Sequence, residues 1–165
     1  MTFGAPLYLD RAEANEHVAG MGQMEAFLGG DGPVPRAVCA AMCRHRSIAS
    51  WVAIAYRPDL PVPVARLGVR HTWHTYTGSL DGLIRDAGWS TALGVLSHAG
   101  IPVTLAVGIA DAVPVLGRAQ GLAGTWPGVR HVVHPRADHG LPFTDPEWCR
   151  ALVADAVTEG LHQDR

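Results

Sequence analysis

Charge is scarce in this 165-residue chain. Asp, Glu, Lys and Arg make up 17% of it, with 15 acidic against 13 basic residues and a formal net charge of −2. No run of five basic residues occurs. The densest piece, Cys43-Arg44-His45-Arg46, reads as one solvated helical turn. Nucleic-acid binding, which needs a basic face, has little support. No apolar run approaches the roughly 18 residues of a membrane span, and no basic segment leads into an apolar stretch at the N-terminus. The expectation is a cytoplasmic chain with no signal peptide, no membrane and no nucleic-acid partner. Cysteine is sparse as well: Cys39, Cys43 and Cys149 are odd in number and suit a reducing compartment. Repeats and low-complexity segments are absent.

What remains is apolar. Hydrophobic residues form 48% of the chain, which argues for a folded protein with a substantial core. The length suits one domain. Met1–Leu9 reads as the end of a buried strand followed by a turn at Gly4-Ala5-Pro6. A domain rarely begins so abruptly, on an apolar strand with no lead-in, so the expectation is that part of the fold lies elsewhere. Asp10 is placed to cap a helix in which Ala14, Val18, Met21, Met24 and Leu28 recur at helical spacing, until Gly29-Gly30-Asp31-Gly32-Pro33 stops it. From about Val34 to Ile84 the pattern stays helical. One helix carries Val38, Ala41 and Met42, with Cys39 and Cys43 on one face. A second is capped by Ser47, and a third runs over Val64–Leu83 beyond Pro58, Pro61 and Pro63.

The last third changes character. A helix with Trp89, Leu93, Val95 and Leu96 ends at Gly100. Ile101–Val107 is a continuous apolar run, the mark of a strand covered on both faces. Pro114–Ala123 reads as a helix and Val129–Val133 as a second strand. Thr144-Asp145-Pro146-Glu147 is a helix start, with either Thr144 or Asp145 as the cap. Trp148, Leu152, Val153, Ala156 and Val157 then share one apolar face.

Asp111 follows the first of these strands and His139 follows the second. A strand–helix–strand crossover makes the two strands parallel. Both loops then emerge on one sheet edge, where α/β sheets build their sites. A histidine oriented by a carboxylate acts as a general base. Taken singly, Asp111 reads equally as a helix cap and His139 as a surface histidine. The matched placement favours a pair. Asp138 is the weaker partner, because adjacent loop residues point apart. His98-Ala99-Gly100 precedes a strand and reads as a helix end. His71 and His74 sit three apart on an expected helix with no third ligand in view, and His131 and His134 face opposite sides of a strand. No metal or cofactor is expected.

The segment Pro102–Asp111, with Asp138-His139-Gly140-Leu141-Pro142 and Thr144–Glu147, resembles the C-terminal end of an α/β-hydrolase. In that superfamily the chain order is nucleophile, acid, histidine. By position Asp111 matches the acid and His139 the histidine, while Gly4-Ala5-Pro6 resembles the turn leading into the lid. The resemblance implies an α/β fold that is an incomplete α/β-hydrolase, with two or three parallel strands plus a helical lid subdomain. Residues of about 10–84 would be lid and connection, and about 85–165 the core of a single partial domain.

The activity implied is hydrolysis of an ester or similar acyl bond, on a small, apolar acyl substrate. Trp51, Tyr56, Trp73 and Tyr76 are candidates to line the apolar pocket or simply to pack the lid. None of the five serines (Ser47, Ser50, Ser79, Ser90, Ser97) sits in G-x-S-x-G, so the nucleophile is missing and the chain alone is expected to be inactive. An open sheet edge is expected to favour self-association. Dehalogenase or haloperoxidase chemistry shares the acid and histidine and stays open. So do two other readings: a non-enzymatic interaction or regulatory module built on the same half-fold, and an unrelated helical enzyme using His71, His74 and Cys43.

Overall fold

The computed structural model of the chain describes residues 1–21, 27, 32–56, 58, 60–85 and 88–163. In chain order the elements are β1 (Thr2–Phe3), α1 (Arg11–Met21), α2 (Pro33–Arg44), α3 (Arg46–Tyr56), α4 (Val62–Gly68), α5 (Trp73–Ser79) and a π-helical turn (Leu80–Arg85). Then follow α6 (Trp89–His98), β2 (Val103–Gly108), α7 (Arg118–Thr125), β3 (Val129–His134), α8 (Leu141–Thr144) and α9 (Pro146–Gln163). They form two compact units. One comprises Met1–Arg11 with Ala87–Arg165, and the other Ala12–Asp86.

The first unit is mixed α/β, built on a parallel three-stranded sheet in the order β1-β2-β3. Thr2 and Phe3 align with Leu105 and Ala106, and Val103 through Gly108 align with Val129 through His134. Parallel neighbours need a crossover, and α7 supplies it between β2 and β3. The strand alternation sorts side chains onto two faces. On one, Val103, Leu105 and Val129 pack with Leu93 of α6, Ala119 of α7 and Leu7, and Trp89, Leu96, Leu122 and Trp126 close around them. Burying Leu93 and Leu105 contributes roughly 2 kcal/mol each. On the other face, Phe3 joins Ala137, Leu141, Cys149 and Trp148 in a second cluster. There Arg130 Nε donates to Thr104 Oγ1 at 2.9 Å and its Nη1 to Glu159 Oε1 at 3.0 Å, which ties α9 to the sheet.

Several element boundaries differ from the sequence expectation, each for a local reason. The helix expected over Pro114–Ala123 begins only at Arg118. Gly117 before it takes a left-handed φ of +74°, and Asp111 Oδ1 captures the Val113 N–H at 2.9 Å. The helix expected over Val64–Leu83 is split into α4, α5 and the π-helical turn. Thr72 opens α5 with a reciprocal cap: its Oγ1 accepts the Thr75 N–H at 3.2 Å, and Thr75 Oγ1 accepts the Thr72 N–H at 2.8 Å. Ser47 lies inside α3, one residue past its start, and caps nothing.

Other boundaries follow the pattern. Helix α6 ends with the Gly100 and Ile101 N–H groups returning to the Ser97 and Leu96 carbonyls, at 3.1 and 2.9 Å. Of the two caps open at the last helix, Asp145 acts: its Oδ1 accepts the Trp148 N–H at 3.1 Å. The apolar face of α9 is narrower than its pattern. Trp148, Leu152 and Ala156 are half-buried while Val153 and Val157 are exposed. Met24, Leu28 and Gly29-Gly30-Asp31 fall outside the described residues. Among the described residues, no helix is long and apolar enough to cross a membrane.

Candidate functional site

The loops after β2 and β3 leave the sheet on the same edge and are laced together. The Ile109 N–H donates to the His134 carbonyl and the Ala110 N–H to the Ala137 carbonyl, both at 3.0 Å. Gly108 makes this crossing possible. A Cβ there would lie 2.2 Å from the Ala137 carbonyl oxygen, so any larger residue would force the two loops apart.

Across that crossing the structure brings Asp111 and His139 together. His139 Nδ1 stands 3.2 Å from Asp111 Oδ2. The Asp111 side chain is 1% exposed and that of His139 54%. A carboxylate only accepts, so Nδ1 donates. The second carboxylate oxygen holds the Val113 N–H, which fixes the rotation of the acid. His139 Nε2 has no partner among the described residues. A buried acid, an imidazole oriented through Nδ1 and a free Nε2 together form a group able to take up a proton from a nucleophile. Asp138 instead caps its own turn, its Oδ1 accepting the Gly140 N–H at 2.8 Å.

Three features of this site were not seen in the sequence. Gly4 adopts φ +61°, and a Cβ on it would lie 2.9 Å from both Asp111 Oδ2 and His139 Nδ1. The backbone after β1 therefore lies directly against the pair. The signal was a glycine closing an apolar strand. Tyr8, 2% exposed, donates its hydroxyl to the Val113 carbonyl at 2.9 Å, and Trp89 Nε1 donates to the Tyr8 carbonyl at 2.5 Å. Tyr8 thus braces the loop that carries Asp111.

The third is His134. Its Nδ1 accepts the Ala137 N–H at 2.9 Å and the Arg136 N–H at 3.3 Å. An accepting nitrogen carries no proton, so Nε2 holds it and donates to Asp145 Oδ2 at 3.2 Å. The ring stands edge-on to Trp148, with centroids 5.0 Å apart. The Trp148 N–H and then His134 hold the Asp145 carboxyl below the ordinary range. His134 anchors the turn that presents His139, a role its spacing in sequence does not disclose.

The remaining candidates do not converge. His131 aligns with Leu105 on the opposite face from His134, as the strand period requires. There it lines a cleft of about 320 Å³ together with Asp111, Val133 and Gln120. His71 precedes α5, so it and His74 do not share a helix as expected. Its Nδ1 lies 2.7 Å from the Gly68 carbonyl. Cys43 donates to the His71 carbonyl at 2.6 Å. Burial, and then Cys43, push the Cys39 thiol up; burial, and then Asp145, push Cys149 up. Neither cysteine is therefore set up as a thiolate nucleophile. Among the described residues, no three His, Cys, Asp or Glu groups are placed to hold a metal ion. Comparison with protein-family models, with curated proteins and with solved structures finds no match to this chain.

Proposed function

We propose that this chain is the lid and C-terminal half of an α/β-hydrolase, acting on an ester or similar acyl bond of an apolar substrate. The observation that carries the reading is the 3.2 Å contact between His139 and a buried Asp111, from the C-terminal ends of adjacent parallel strands. In this reading His139 Nε2 takes the proton of a nucleophile hydroxyl as that oxygen attacks the acyl carbon. It then returns the proton to the leaving group. Asp111 holds the ring in the required tautomer and stabilises its charged form. The nucleophile and the oxyanion donors come from strands that would pair with the open edge of β1. Without them the 165 residues alone should show negligible hydrolysis, because removing any member of such a set loses most of the rate. We also propose a cytoplasmic location, which would keep the three free cysteines reduced.

The test starts in source cells. An antibody to the C-terminal peptide Thr158–Arg165 recovers the native product, which is then treated with a fluorophosphonate probe for activated serines. Labelling of a species larger than 17.5 kDa, or of a partner that co-purifies, is expected. In that species His139→Ala should lower kcat by about a thousandfold or more. An unlabelled 17.5 kDa product with no labelled partner overturns the reading and favours an interaction module.

A further inference from the structure

We infer that the helical unit carries a binding site for a phosphate group, between the start of α3 and the end of α4. The site is built only from residues of the Ala12–Asp86 unit and does not depend on the hydrolase reading. Helices α3 and α4 pack side by side. Arg46, Ser47 and Ser50 of α3, with Arg66 of α4 and Arg70 just past its end, line a cleft of about 570 Å³. Arg46 and Ser50 are one helical turn apart on α3 and share a face, while Arg66 lies in the last turn of α4 and Arg70 two residues past its end, both on the wall of the same cleft.

Among the described residues, none of the three guanidiniums has a carboxylate partner. Between Gly32 and Leu80 the chain carries six arginines and one aspartate, although its net charge is −2. Self-repelling arginines around a cavity raise the local potential and lose that cost when an anion enters. The partial positive charge of the first turn of α3 acts in the same sense.

The donor set selects the anion. Three guanidinium forks and two hydroxyls exceed what a carboxylate can accept with two oxygens and one charge. They match the three terminal oxygens and near-double charge of a phosphate monoester. Ser50 is only 9% exposed, which places a neutral donor at the depth of the cleft beneath the exposed arginines. Leu67 on its wall offers an apolar surface to the organic part of the ligand.

The experiment is a titration of the 15N-labelled full chain with glycerol phosphate at constant ionic strength, read by amide shifts in α3 and α4. Saturable shifts with a dissociation constant in the millimolar range are expected. Arg66→Gln and Arg70→Gln should each weaken binding about tenfold. Arg36→Gln, outside the cleft, should leave it unchanged. Far-UV circular dichroism verifies folding, and Ser50→Ala gives a second variant that removes a donor and no charge. Parallel flotation with phosphatidic-acid vesicles distinguishes a lipid phosphate from a soluble one: vesicle binding lost with Arg66→Gln supports the site and assigns it to lipid. Absence of saturation into the tens of millimolar, or equal weakening by Arg36→Gln, overturns the proposal.

Discussion

At the scale of single residues, the site depends on small contacts that leave no room for change. Gly108 lies where two loops cross, with the Ala137 carbonyl in the space a Cβ would fill. Gly108→Ala should therefore destabilise the sheet unit by about 3 kcal/mol, read as a shift in the urea midpoint. A change within error would mean the loops separate freely. Tyr8 acts through one hydroxyl. Tyr8→Phe keeps the ring and loses the bond to the Val113 carbonyl, so about 1 kcal/mol is expected by the same measurement. Of these residues, Asp111 and His139 were legible in the sequence, because chain order and strand ends predict which loops meet. Gly4, Tyr8 and His134 were not. Their roles rest on contacts between segments far apart in the chain, and no local pattern encodes a distance.

At the scale of elements, the helix caps hold what the pattern only outlines. Asp145 starts α9 and also accepts from His134, and both bonds favour its charged form. Its folded pKa lies below the ordinary Asp value of 3.8. The resulting stabilisation is fully present above that value and is lost as the pH falls through the lower folded one. Asp145→Asn retains an acceptor for the cap and removes the charge. The stability gap between parent and variant should therefore be constant near neutrality and shrink in acid below about pH 4. A gap independent of pH would show that the charge is idle. Thr72 carries the other cap. Thr72→Ala should cost about 1 kcal/mol and loosen hydrogen exchange in α5. Helix existence followed from apolar spacing, but the break between α4 and α5 did not. Threonine is compatible with a helix interior, and only the reciprocal bonds with Thr75 make it a boundary.

At the scale of the molecule, β1 is two residues long, and among the described residues nothing pairs with its outer edge. An open parallel edge beside apolar surface recruits other strands. The purified chain should self-associate with rising concentration, seen as a rising mass in sedimentation equilibrium. A monodisperse monomer that melts cooperatively would contradict the half-fold reading. Local pattern in the chain sets most of the element types and their order: a continuous apolar run makes a buried strand, helical spacing makes helices, and two loops at strand ends carry an acid and a histidine. Those are local consequences of side-chain period and chain connectivity. The tertiary structure alone decided that Asp111 and His139 stand within bonding distance, that Gly4 backs them, and that His134 looks away toward Asp145. It also decided that three arginines share one cleft on the helical unit. Each of these depends on register and packing, which are set by the summed burial of many residues and belong to no single stretch of the chain.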